Sequence, residues 1–253
     1  MIPIGDTARS RSTPYVNIAI IIINIVVFVY EVSLSQDAIR GGFTELDRFI
    51  FHWGSIPACT FDALGFDRDL SATGQLRCGA QPQPQWTWLS AMFMHGSFLH
   101  IAGNMLFLWI FGDNVEDALG HVLYGVFYVL TGALAALTHG LFNVDDLTPA
   151  IGASGAVAGV MGAYIVLFPR ARVTVLVPPL LFFPLPLPAW VLIGFWFLLQ
   201  IVNGAASLGP EAVGAGAGVA YFAHIGGFIA GAVLVNAFAW NRDRARAAVR
   251  RWP

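Results

Sequence analysis

Four side chains suited to acyl transfer stand inside otherwise apolar stretches of this chain: His100, Asn104, Ser154 and His224. A serine hydroxyl beside an imidazole is a nucleophile with its base. An amide or imidazole N–H nearby can hold the oxyanion that attack creates. His100 and Asn104 are four residues apart, so a helix would carry them on one face. Ser154 lies in Gly152-Ala153-Ser154-Gly155, just after Pro149, and His224 in Ala223-His224-Ile225-Gly226-Gly227. Each piece alone has a plainer reading. A membrane serine bonds its own helix backbone, and a lone histidine a neighbouring carbonyl.

The elements that position them are membrane helices. Of 253 residues, 57% are hydrophobic and 11% charged, with mean hydropathy +0.69. Soluble domains carry about 25% charged residues, so a water-soluble globule and a disordered chain are both excluded. All 13 basic residues are arginine, the net charge is -2, and there is no basic stripe with interleaved aromatics. Nucleic acid is therefore not an expected partner. The lipid bilayer is.

We draw six spans, Tyr15–Val32, Phe98–Asp113, Val122–Phe142, Ser154–Phe168, Pro188–Asn203 and Gly218–Trp240. The first is too long for a signal peptide and no small-residue cleavage site follows it. Val173–Leu187 is apolar but holds Pro178, Pro179, Pro184 and Pro186. Lipid cannot replace the backbone bonds those prolines remove, so this segment reads as an extended loop along the interface.

Arginine sets the orientation. With six spans, nine arginines (9, 11, 170, 172, 242, 244, 246, 250 and 251) share one side and four (40, 48, 68 and 77) the other. Both termini are then cytoplasmic. Residues 1–14 form a short cytoplasmic N-terminus, 15–240 a helical domain and 241–253 a basic cytoplasmic tail. The long loop between the first two spans faces the exterior with Cys59 and Cys78. A disulfide between them and two free thiols both fit the sequence.

Depth brings the polar residues together. At about 1.5 Å per residue, Ser154–Phe168 covers roughly 21 Å of a core about 30 Å thick. Ser154 thus begins a helix roughly 9 Å below the outer surface, among free N–H groups at a positive helix end. His224 lies about 24 Å above the cytoplasmic side, and Asn104 roughly 14–20 Å. All three share one layer. The loop before Ser154, Leu147–Gly152, must be buried or line a water-filled cavity. Gly155 and Gly159, with Gly162 nearby, and Gly227 and Gly231 form small-residue stripes that let helices approach closely.

None of the drawn spans has an acid or arginine at its middle, which argues against a proton-coupled transporter and an aspartyl intramembrane protease. No His is followed by Glu, so the zinc-protease motif is missing. His52, His95, His121 and His139 read as interfacial, with no metal spacing. Asn17 and Asn24 read as helix-packing contacts.

At His100-Ile-Ala-Gly-Asn104, Gly152-Ala-Ser154-Gly155 and Ala223-His224-Ile-Gly-Gly227 the chain resembles the rhomboid family of intramembrane serine proteases, from roughly Tyr15 to Trp240. The resemblance implies an all-α, six-transmembrane-helix bundle that cleaves transmembrane-protein substrates near the outer leaflet, with no cofactor and no metal. It makes Ser154 the nucleophile and His224 the general base, without a third carboxylate. Asn104, His100 and the Ser154 backbone N–H become oxyanion donors. Gly152 allows close approach of the loop to substrate. The large first loop packs on the side of the bundle, and Ala205–Val219 becomes a cap over the site. The family's tyrosine four residues after the serine is replaced by Ala158, which leaves Tyr221 and Tyr164 as substitutes to orient the histidine.

The expected activity is thus a serine endopeptidase in the cytoplasmic membrane of a prokaryote. A non-catalytic membrane binder would need neither Ser154 nor His224. A solute transporter would show internal repeats or buried charge. The sequence leaves the natural substrate and the oligomeric state open.

Overall fold

A computed structural model describes residues 2–37, 43–66, 78–79, 81, 83–177, 180–209 and 219–238. Strand β1 (Ile2–Asp6) leads into helix α1 (Tyr15–Ser33). Among its described residues the first loop carries short helices, including α2 (Glu45–Trp53), α3 (Pro57–Ala63) and α4 (Thr87–Ala91). Then come α5 (Phe98–Phe107), a π turn (Leu108–Gly112), α6 (Asp113–Leu119), α7 (His121–Phe142) and α8 (Ser154–Leu167). Strands β2 (Arg172–Val177) and β3 (Leu180–Pro188) precede α9 (Ala189–Ala206) and α10 (Tyr221–Phe238). The chain is a mostly helical membrane protein. Helices α1, α7, α9 and α10 are long and apolar enough to span, and α8 is a shorter apolar helix.

The second span does not stop at Asp113. It continues through the π turn into α6 and ends where Gly120 turns with φ +84°. A π turn departs from the regular α-helical ladder, and within it the Leu108 carbonyl accepts a hydrogen bond from Asn17 Nδ2 at 2.9 Å. Asn17 Oδ1 accepts from the Tyr124 hydroxyl at 2.7 Å. A Cβ at Gly112 would sit 2.2 Å from that Asn17 oxygen, so glycine makes the room. Asn17 therefore ties three helices together. Asn24 Nδ2 donates to the Ile20 carbonyl of its own helix at 2.8 Å.

Extending this helix brings Glu116 into the interior, fully buried. Its carboxylate accepts from the Val16 N–H at 3.0 Å and the Asn17 N–H at 2.7 Å. Those donors belong to the first turn of α1, which has no side-chain cap of its own. Glu31, near the other end of α1, is 2% exposed. Both buried carboxylates stand near span ends, and each accepts from backbone N–H; Glu116 lies beyond the span drawn to Asp113. His121 Nδ1 meets Glu116 at 2.5 Å, so its contact is that carboxylate as well as the interface.

Helices α8 and α10 pack backbone to backbone. A Cβ at Gly231 would stand 1.9 Å from the Gly159 carbonyl oxygen, one at Gly227 2.0 Å from Gly155 O, and one at Gly162 2.1 Å from Phe228 O. Gly159 itself faces Thr131 of α7. The carbonyls that face Gly162, Gly227 and Gly231 are backbone and cannot swing away. Overpacking of this kind costs about 1–3 kcal/mol. Gly231→Ala is expected to lose at least that much, read as a lower unfolding midpoint in detergent.

The proline-bearing segment is extended, as its residue types require, but it is not a loop. Order β1-β2-β3 makes an antiparallel sheet, with Val173 paired to Leu187 and Val175 to Leu185. The Ala189 N–H donates to Ala171 O at 2.7 Å. Leu185 and Leu187 thus turn their backbone groups toward β2, and Pro186 and Pro188 toward the open edge. Proline has no N–H to leave unpaired there. The N-terminal residues are likewise no free tail. Ile2 pairs with Leu176, and Ser12 Oγ donates to Asp117 Oδ1 at 2.6 Å. The tail 241–253 lies outside the described residues.

Asp6 ends β1, outside the spanning helices, and accepts hydrogen bonds from the Tyr164 hydroxyl and from Asn114 Nδ2. Burial raises its carboxyl from 3.8 to about 7, against the lowering effect of the Tyr164 bond and with a further rise from Asp113. The folded chain then keeps a proton that the unfolded chain has released. Its contribution to stability is complete below about pH 4 and is lost as pH rises through about 7. Melting temperature is expected to fall from pH 5 to pH 7.5 in the wild type and to fall less in Asp6→Asn.

Candidate active site

Helix α8 starts at Ser154 with no side-chain cap, which leaves first-turn N–H groups open at the positive end of its dipole. The loop before it is pinned by backbone bonds. Ser55 N donates to Ala150 O at 3.1 Å, Ala150 N to Ser55 O at 2.8 Å, and Gly152 N to Ala91 O at 2.8 Å. Ala58 N also donates to Asp146 O at 3.1 Å. The first loop therefore holds the segment that presents the serine, beyond packing on the bundle's side. Cys59 of α3 is bonded to Cys78, which ties this part of the loop to itself.

The Gly-mediated contact of α8 with α10 brings Ser154 Oγ and His224 Nε2 to 2.8 Å. His224 Nδ1 meets Gln200 Oε1 of α9, also at 2.8 Å. The Gln200 amide nitrogen donates to the Trp196 carbonyl at 3.2 Å. Trp196 places its ring 5.8 Å from the imidazole. The groups beside His224 are thus Gln200 and Trp196. Tyr164 is buried and bonded to Asp6 instead, and Tyr221 is not the residue that meets Nδ1.

Gly152 has φ +131°, a conformation side chains rarely adopt. A Cβ there would stand 2.8 Å from His100 Nε2 and 3.7 Å from Ser154 Oγ. His100 and the serine hydroxyl thus flank one point above this glycine. Gly155 is equally restricted, since its Cβ would meet Ala135 at 2.6 Å. Asn104 is 7% exposed, and its Nδ2 lies 3.0 Å from His95 Nε2. An amide nitrogen only donates, so His95 accepts there and one Asn104 N–H remains for another acceptor.

His95 is thus not an interfacial residue. It is 3% exposed, its ring lies 5.0 Å from that of His100, and its backbone N–H donates to Glu31 at 3.0 Å. His139 also moves inward. With Ser154, Gly152, Ala135 and Ala136 it lines a cavity of about 50 Å³. The sequence reading missed Gln200, His95 and Glu31. Its amide, in the apolar run of α9 that also carries Asn203, was the only available signal for Gln200. Of the expected cap, residues 210–218 lie outside the described residues.

These elements define a polytopic helical protein with a serine–histidine pair between two close-packed helices. The rhomboid domain family matches residues 82–241. The chain belongs to the rhomboid family. It is 33% identical over 172 residues to the mitochondrial rhomboid protein 1 of Saccharomyces cerevisiae, covering 65% of this chain and 46% of that protein. It is 30% identical over 154 residues to the mitochondrial RHOMBOID-like protein 6 of Arabidopsis thaliana, covering 61% and 44%. The mitochondrial presenilin-associated rhomboid-like protein of Bos taurus shares 29% over 97 residues, covering 38% and 26%. The chain thus spans less than half the length of these relatives.

Proposed function

We propose that this chain is an intramembrane serine endopeptidase that cleaves transmembrane proteins through Ser154 and His224. The observation that carries the reading is the 2.8 Å approach of His224 Nε2 to Ser154 Oγ between separate helices. His224 takes the hydroxyl proton as Ser154 attacks the scissile carbonyl. The tetrahedral oxyanion is held by Asn104 Nδ2, His100 and the Ser154 backbone N–H. The protonated imidazole then gives its proton to the leaving amine, and an ester to Ser154 remains. Water, deprotonated by the same imidazole, hydrolyses that ester. A purely binding role would not require the base to stand against the hydroxyl.

The substrate must present an extended backbone to Ser154, so a transmembrane segment that unwinds easily is favoured. The adjoining cavity is small and lined mostly by Gly and Ala, which favours a small side chain beside the scissile bond. Six spans, an exterior first loop and cytoplasmic termini complete the reading. The Cys59–Cys78 bond supports an oxidising exterior for that loop, and the site then opens toward the outer leaflet of a prokaryotic cytoplasmic membrane.

The test is cleavage in proteoliposomes of a single-span substrate carrying a Gly/Ala-rich segment, with products mapped by mass spectrometry. Cleavage within or beside the span that stops in Ser154→Ala supports the reading. An intact substrate with every span offered contradicts it.

A further inference from the structure

We infer that Gln200 is the positioning residue for His224, a third group that takes the place of the carboxylate found in serine–histidine–aspartate sites. The inference rests on the proposed protease reading and deepens it. The amide orientation follows from its two contacts. Its nitrogen, 3.2 Å from the Trp196 carbonyl, has to donate there. The reversed amide would set two acceptors face to face at Trp196. Oε1 is therefore the atom 2.8 Å from His224 Nδ1, and an oxygen can only accept.

His224 must then carry a proton on Nδ1. In the neutral imidazole that leaves the lone pair on Nε2, the nitrogen 2.8 Å from Ser154 Oγ. The Gln200 bond thus selects the one tautomer that can accept the serine proton. It also holds the ring from the side opposite the nucleophile. Gln200 is 8% exposed, and Trp196 and Phe197 around it on α9 pack on Phe228 of α10. Its backbone position is fixed by the same helix contact that fixes His224. Being neutral, the amide orients the imidazole and adds no fixed charge at this depth.

A packing role and a positioning role make opposite forecasts for two variants. Gln200→Leu keeps volume, suits an apolar helix and deletes the acceptor. Gln200→Glu keeps an acceptor oxygen for Nδ1–H, and in its protonated form also a donor for the Trp196 carbonyl, but it places an acid among apolar groups. Both are compared with wild type in proteoliposomes, with active sites titrated by a fluorophosphonate so that rates refer to folded molecules. Positioning predicts that Gln200→Leu melts no lower than wild type, yet loses about tenfold in kcat, on the scale of one hydrogen bond, with KM little changed. It predicts that Gln200→Glu recovers most of that loss.

Gln200→Leu at wild-type kcat overturns the inference, as does a Gln200→Glu variant that folds but turns over no faster than Gln200→Leu. If the glutamate variant does not fold, the kcat of Gln200→Leu decides alone. A wild-type chain that neither labels at Ser154 nor cleaves sinks the protease reading itself. Labelling of the wild type at Ser154, with Gln200→Leu labelled as fast as wild type, removes only Gln200.

Discussion

Ser154→Ala and His224→Ala are each expected to lower turnover of a transmembrane substrate by about 10⁶, and the double variant by no more than either alone. The two residues act as one unit. The hydroxyl is a weak nucleophile until Nε2, 2.8 Å away, takes its proton. With the base removed the serine stays protonated, and with the serine removed the base has nothing to activate. Neither change should disturb the fold. Ala fits the first position of α8, and the N-cap residue there is Ala153, with no side-chain cap hydrogen bond. The measurement is single-turnover cleavage in proteoliposomes for the three variants, beside their melting temperatures. Losses that multiply in the double variant would show the two residues acting separately.

Asn104→Ala is expected to lower kcat by roughly 10²–10³ and to change KM little. One preorganised oxyanion donor contributes about 2.7–4 kcal/mol, all of it in the transition state. The amide is prepared for this role. One of its N–H groups is directed at His95 Nε2, 3.0 Å away, and His95 is in turn held through its backbone by Glu31 of α1. The other N–H is free to meet charge that appears during reaction. A packing bond between membrane helices would be worth only about 0.6 kcal/mol. On that view Asn104→Ala would melt at a lower temperature and keep near-normal kcat. Both quantities, taken on one preparation, separate the two roles.

The serine and histidine were legible because depth is one-dimensional. Counting 1.5 Å per residue from each span end puts Ser154 and His224 at one level without knowledge of how the helices pack. Glycine supplied the second half. Gly227 and Gly231 admit no Cβ against the carbonyls of α8, and a four-residue spacing of glycines shows that in the sequence. The sheet was not legible as a sheet. The prolines of β3 forbid helix, but the strand that completes the sheet, Ile2–Asp6, lies about 170 residues earlier in the chain and carries no alternation of its own. Glu116 escaped notice because Asp113 looks like a span end, whereas the π turn carries the helix onward past it. His95 and Gln200 were hidden for a related reason. One lies on an irregular turn and one on a separate helix, so neither shares a face with the residue it holds.

The reading that Ser154 is a nucleophile made reactive by His224 is tested most directly by mapping a covalent adduct. The wild-type protein in lipid is treated with a fluorophosphonate, digested and sequenced by mass spectrometry. The expected adduct sits on Ser154, forms in time with loss of cleavage activity, and is absent from His224→Ala over the same period. A protein that stays unmodified at Ser154, or one that reacts there as fast without His224, would contradict it.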